Sequence, residues 1–291
     1  MNHDPLNVLR AEDLPVQPDP AFAARLRGRL ESALTLPNRT VGVDMSNTDA
    51  EIAGLNEPAA DELIQHGDIG YVSIWVPDPA RAADFYEHVL GWSYAPAAHQ
   101  VTSTDLPIGI APSSAAPTLF CCYAVTDVQE ARRTITEAGG TPGEVRRADY
   151  GVILDAIDPQ GVAFAVYEPR PGQKRLTLNG SGPGELAYVT YRTSDSAVFR
   201  DFYGRILHWT FTAGRIDDGW QVATTHPMAG VGGGNAGSTT VPMWTVADID
   251  AAVARVREAG GTVLTEPARQ PYGIQAECTD DQGSPFYLGE F

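Results

Sequence analysis

The chain carries one strand-turn-helix segment twice. "YVSIWVPDPARAADFYEHVLGW" begins at Tyr71 and "YVTYRTSDSAVFRDFYGRILHW" at Tyr188. Two further segments recur in the same order: "TDVQEARRTITEAGGT" (126–141) returns as "ADIDAAVARVREAGGT" (247–262), and "YGVILDAIDPQGVAFAVYE" (150–168) as "YGIQAECTDDQGSPFYLGE" (272–290). Copies this far apart are whole domains and not the short units of a solenoid. A length of 291 residues accommodates two such cores and an extension. The spacing predicts an N-terminal extension over 1–66, a first domain over 67–170, a Pro/Gly/Ser-rich linker over 171–184 and a second domain over 185–291.

Within each copy a short alternating strand leads through a turn into a helix, more strands follow, and the pattern then repeats. In "YVSIWV", Val72, Ile74 and Val76 form an aliphatic face, which leaves Tyr71, Ser73 and Trp75 on the other. Asp78 and Pro79 open the first helix, Phe85 with Val89 and Tyr86 with Leu90 give it an apolar stripe, and Gly91 ends it. Asp127 opens the next helix, which Gly139 and Gly140 close. The result is an α+β fold of four β-α-β-β-β modules in two pairs. His208 stands where the first copy has Gly91, so a left-handed backbone is expected there. The extension holds an amphipathic helix, "DPAFAARLRGRLESAL", with Phe22, Leu26, Leu30 and Leu34 on one face, followed by an acidic linker. That face packs on its own chain or docks on another subunit or another protein.

A formal charge of −17 repels phosphate backbones and anionic lipid, which excludes nucleic acid and membrane surfaces as expected partners and leaves a cationic small molecule allowed. Cys121 and Cys122 are adjacent in a strand and point to opposite faces, so no disulfide framework emerges. Without a signal-peptide pattern or a run of roughly 20 apolar residues, the expectation is a cytoplasmic protein.

"VPDPARAADFYEHVLGW", "VTDVQEARRTITEAGG" and "YGVILDAIDPQG", each with its second copy, resemble the vicinal oxygen chelate superfamily: glyoxalase I, bleomycin-resistance proteins, fosfomycin-resistance enzymes and extradiol dioxygenases. The resemblance covers nearly everything from about residue 68 onward. It implies tandem glyoxalase-like domains, each two βαβββ modules curled into a half-open β-cup. Such domains often pair as dimers, so one chain holding both is expected to be a monomer with an internal pseudo-dimer, a homodimer being the alternative.

Metal-using members place a His or Gln at the head of the first strand of each module and a Glu on the last, converging on a divalent ion. The corresponding positions are Tyr71, Phe120 and Ala165 in the first domain and Tyr188, Val241 and Tyr287 in the second, none of them a conventional ligand. Strand parity then predicts a first cup lined by Tyr71, Ser73, Trp75, Phe120, Cys122, Ala124, Ala165 and Tyr167. The second is lined by Tyr188, Thr190, Arg192, Val241, Met243, Thr245 and Tyr287. Aromatic faces, small residues and a few hydroxyls suit a flat or apolar ligand.

Arg192 is placed to hold an anionic group of a ligand or to pair with Asp217, Asp218 or Glu277. His226 is the histidine best placed for acid-base work, and Cys122 reads as a structural thiol. Glu168 and Glu290 read as solvent or interface residues. "GGGNAG" (232–237) matches a dinucleotide-binding pattern but precedes a strand, where that motif needs a helix.

The reading that follows is a metal-independent protein binding an aromatic or cationic compound, with no cofactor. One alternative is an enzyme of the same superfamily, a lyase, isomerase or dioxygenase, with a divalent metal on ligands such as His226, Glu277 or Asp149. Another is a metal-free enzyme using Tyr188, Arg192 or His226 as catalytic groups.

Overall fold

The computed structural model describes residues 63–148, 151–175 and 182–291. The N-terminal helix and acidic linker, part of the inter-domain linker, and Asp149 lie outside the described residues.

In the first domain the strands are β1 (Ile69–Val76), β2 (Tyr94–Ala95), β3 (Gln100–Val101), β4 (Ile108–Pro112), β5 (Thr118–Ala124), β6 (Thr141–Ala148), β7 (Gly151–Ile157) and β8 (Ala163–Glu168). Helices α1 (Pro79–Leu90) and α2 (Val128–Glu137) follow β1 and β5. The second domain repeats this with β9 (Leu186–Arg192), β10 (Phe211–Ala213), β11 (Gly219–Val222), β12 (Met228–Gly232), β13 (Thr239–Thr245), β14 (Thr262–Gln270), β15 (Gly273–Thr279) and β16 (Pro285–Glu290). Its helices are α3 (Ser196–Leu207) and α4 (Ile249–Glu258).

Each domain forms one open eight-stranded sheet, in the orders β2-β3-β4-β1-β5-β8-β7-β6 and β10-β11-β12-β9-β13-β16-β15-β14. The paired modules meet through their first strands, β1 antiparallel to β5 and β9 antiparallel to β13. The tandem α+β architecture expected from the repeats is therefore present.

Local chemistry sets the helix ends as expected. The Asp78 carboxylate accepts from the Ala80 and Arg81 amides, both at 3.1 Å, and Gly91 ends α1 with φ 73°. Asp195 caps α3, and His208 takes the left-handed backbone, φ 56°, that Gly91 takes in the first copy. Glu168 and Glu290 depart from expectation. Each accepts from the first amide of the following module's helix, Val128 at 2.9 Å and Ile249 at 2.8 Å, so both extend helix caps where solvent or interface positions are expected.

The aliphatic sheet faces and all four helices join one continuous apolar core that spans both domains. Its contacts come in pairs related by a pseudo-two-fold. The indole of Trp92 donates to the Gly184 carbonyl at 3.0 Å, and that of Trp209 to the Gly67 carbonyl at 3.0 Å. Tyr86 Oη donates to Asp280 at 3.4 Å and Tyr203 Oη to Asp158 at 3.2 Å. Two residues on from each aspartate, a glutamine clasps the cap of the other domain's first helix. Gln282 exchanges two bonds with the Asp78 backbone, at 2.8 and 2.9 Å, and Gln160 donates to the Asp195 carbonyl at 3.0 Å while accepting from its amide at 3.0 Å. At the centre, Tyr123 Oη donates to Tyr191 Oη across 3.0 Å.

Removing one member of a buried hydroxyl pair strands the other, at about 1–3 kcal/mol, whereas removing both is close to neutral. Tyr123→Phe is therefore expected to lower unfolding stability by more than the Tyr123→Phe/Tyr191→Phe double variant does, as read by urea denaturation. Burial also holds the phenols of Tyr86, Tyr123, Tyr191 and Tyr203 protonated well above the ordinary tyrosine range. A raised folded-state pKa contributes stability that is fully present below the unfolded value, about 10, and is lost as pH rises beyond it. Tyrosinate absorbance of these residues should thus appear only together with loss of near-ultraviolet circular dichroism in alkaline titration.

Candidate functional sites on the two cup faces

With the aliphatic faces consumed by the shared core, the opposite face of each sheet is what remains for a ligand. In the first domain this face carries a second apolar cluster of Phe120, Cys122, Ala124, Ile153, Ala165 and Tyr167, against which Tyr71 and Trp75 pack. Ser73 lies among them, 2% exposed. The residues predicted for the first cup are thus brought together.

Cross-strand register shows which of these positions stand level with one another. Level with Tyr71 stand Cys122 and then Ala165, while Phe120 pairs with Ser73 one step along the same face. In the second domain Tyr188 is level with Met243 and Tyr287, and Val241 pairs with Thr190. Irregularities next to Tyr71 and Met243 shift the pairing, which local alternation cannot reveal.

Both repeated tyrosines lie across a glycine of the neighbouring strand. A Cβ on Gly109 would fall 2.1 Å from Tyr71 Oη, and one on Gly230 would fall 2.2 Å from Tyr188 Oη. The glycines leave the room into which the phenols lie down on the sheet. Burial pushes the Tyr188 hydroxyl up to about 12, so at neutral pH it is a neutral donor.

The two cups differ in what fills them. In the first, the Trp75 and Phe120 rings stack in parallel with centroids 4.7 Å apart. The segment after β8 closes on the same cluster: Gln173 donates to Tyr167 Oη at 3.1 Å, and Arg175 grips the buried Asp68 with bonds of 2.8 and 3.0 Å. Burial pushes the Cys122 thiol strongly up, with smaller contributions from Asp155 and Cys121, so it is not a thiolate nucleophile. The Ser73 hydroxyl, fully enclosed, has no hydrogen-bond partner.

In the second cup Arg192 takes the place of Trp75. Its Nη2 donates to Glu277 at 2.5 Å and to Tyr287 Oη at 2.7 Å, and its guanidinium lies 5.4 Å from the Tyr287 ring centre. Of the three carboxylates the sequence offers, Glu277 is the partner; Asp218 instead accepts from Ser196 Oγ and the Trp220 indole. Burial lowers the affinity of Arg192 for its proton, but the Tyr287 and Glu277 interactions outweigh it and raise the net value, keeping the group charged. Glu277 and its first-domain counterpart Asp155 sit on β15 and β7, level with Tyr287 and Ala165. Period-two alternation carried onto those strands would have placed both on the cup faces.

His226 does not join this group. It precedes β12 beyond the Met228–Tyr188 pair, whereas Arg192 pairs with Gly232 at the other end. The His226 carbonyl accepts from Ile69 of the first domain at 2.9 Å, so the residue belongs to the seam between domains. "GGGNAG" connects β12 to strand β13, which lacks the helix a phosphate cradle requires.

These donors do not fit a divalent cation. The rows offer a phenol, a raised thiol and an alanine in one cup, and two phenols and a thioether in the other, all poor ligands for a hard ion. Among the described residues, no group of three or more His, Cys, Asp or Glu side chains comes together. No described helix is long and apolar enough to cross a membrane.

Comparison with known proteins extends the picture. The model of the glyoxalase/bleomycin resistance protein/dioxygenase superfamily matches residues 68–166. The anthracycline biosynthesis protein DnrV of Streptomyces peucetius is 30% identical over 251 residues, an alignment covering 74% of this chain and 90% of that protein. DauV of Streptomyces sp. strain C5, also described as an anthracycline biosynthesis protein, shows the same identity and coverage. Among solved structures, the Mn(II)-bound glyoxalase of Novosphingobium aromaticivorans superposes with a TM-score of 0.60 at 15% identity, covering 78% of this chain and 83% of that one. The 2,3-dioxygenase LapB of Pseudomonas sp. KL28 gives 0.57 at 13% identity, with 80% and 94% covered. At such identities these structures speak to the fold alone.

Proposed function

The chain belongs to the glyoxalase/bleomycin resistance protein/dioxygenase superfamily, and on that premise we propose that it binds a flat, fused-ring aromatic compound on a cup face without a metal ion. The observation that carries this reading is the chemistry of the ligand-equivalent rows. The ligand-equivalent positions, Tyr71, Phe120 and Ala165 in one cup and Tyr188, Val241 and Tyr287 in the other, with Cys122 and Met243 level with the tyrosines, offer aromatic and polarisable surface in place of metal donors.

The relatives named for anthracycline biosynthesis support the class of compound, since an anthracycline is itself a flat fused-ring aromatic. The formal charge of −17 favours a ligand that also carries a positive group. A monomer fits the seam, because the chain already makes within itself the paired contacts that two separate domains would make.

A metal-free enzyme is the second reading. The specific observation in its favour is the pairing of Arg192 with Tyr287, which could polarise a carbonyl of a bound compound.

Fluorescence titration of an anthracycline with the purified chain, with and without a chelator, tests the proposal. The expected result is saturable one-to-one binding that chelation leaves unchanged, with the compound recovered intact. Absence of saturable binding, or binding that chelation abolishes and a divalent ion restores, would contradict it; conversion of the compound would favour the second reading.

A further inference from the structure

We propose that the second cup is the seat of the ligand, and that Arg192, Glu277 and Tyr287 form a recognition triad for a neutral hydroxyl-and-carbonyl edge on a fused-ring compound. The inference rests on the aromatic-binding reading above and names the cup, the residues and the chemical group read.

The first cup is already occupied by its own side chains. Trp75 lies flat on Phe120 as a planar ligand would, Phe120, Cys122 and Tyr167 are each below a tenth exposed, and the Gln173–Tyr167 bond straps the cluster from outside. In the second cup Val241 and Met243 are as buried as Phe120 and Cys122, and the difference lies at two other positions. Thr190 and Tyr287 stay partly accessible where Ser73 and Ala165 are buried, and the Arg192 and Glu277 side chains each keep 24% of their surface exposed.

The bonding pattern of the triad then determines what it can read. Both bonds of Arg192 use Nη2, so its Nε–H and Nη1–H donors have no acceptor among the described residues. Glu277 engages through Oε1, which leaves Oε2 able to accept. Tyr287 Oη accepts from Arg192, so its own hydrogen remains available to donate. The set is two kinds of donor beside one acceptor, with a net charge near zero because the arginine is already neutralised. With the arginine charge already offset by Glu277, such a set does not select a free carboxylate or phosphate over a neutral group. It matches a neutral edge on which a hydroxyl donates and an adjacent carbonyl accepts, as in a hydroxyquinone. Tyr188, a neutral phenol on the same face, borders the ring system.

The test compares quinizarin, a dihydroxyanthraquinone, with its parent anthraquinone by equilibrium titration against the full chain. Wild type is expected to bind quinizarin more tightly. Glu277→Gln should weaken quinizarin by about tenfold while leaving anthraquinone within about twofold, and Tyr287→Phe, which removes a donor to the carbonyl that both compounds carry, should weaken both. Trp75→Leu, with thermal melting to establish folding, should leave both affinities unchanged. Equal affinity for the two compounds, unchanged quinizarin binding in both second-cup variants, or loss of binding in Trp75→Leu alone would overturn the assignment while leaving aromatic binding in place. Failure of the folded wild type to bind either compound would overturn the aromatic-binding reading and this inference with it.

Discussion

The reciprocal clasp between domains is the constraint from which the rest of the structure follows. Asp158 and Gln160 hold Tyr203 and the cap of α3, and Asp280 and Gln282 hold Tyr86 and the cap of α1. Each aspartate is buried and its carboxyl pushed up by desolvation, while backbone amides offset part of that cost, joined at Asp158 by the Tyr203 hydroxyl. The clasp draws each domain's first helix against the other domain, next to the seam where Trp92 meets Trp244 edge-on at 4.9 Å and Trp209 meets Tyr123 at 5.4 Å. Aromatic pairs of this kind add roughly 0.5–1.5 kcal/mol each beyond the area they bury. Because both aliphatic sheet faces are spent on this core, the cup faces are free of it.

That division lets the two copies diverge where they do not share contacts. The seam residues retain their pairing in both copies, while at one matched cup position Trp75 in the first copy corresponds to Arg192 in the second. A change from stacking to ion pairing alters no clasp contact. The first cup thus serves as a packed plate, and the second keeps a polar edge within an otherwise apolar surface.

Much of the fold was legible in the sequence because its signals are local. Alternation in "YVSIWV", the aspartate caps and the left-handed position at His208 depend on a few neighbouring residues, and the structure places them as expected. The repeated "DPQG" and "DDQG" turns were visible too, but their partners lie on the other domain, so their role as a clasp was not. The level of Cys122 and Met243 with the tyrosines depends on strand irregularities. The choice of Glu277 over Asp217 and Asp218 depends on which strand lies beside β16, a long-range pairing that no local pattern encodes.

A fold shared with a Mn(II)-bound glyoxalase here offers aromatic and ion-paired side chains in place of metal donors. Elemental analysis of the full chain, purified without chelator and then dialysed, tests this most directly. No divalent ion is expected to remain in stoichiometric amount; one divalent ion retained per chain through dialysis would mean that the cups, or residues near them, hold a metal after all.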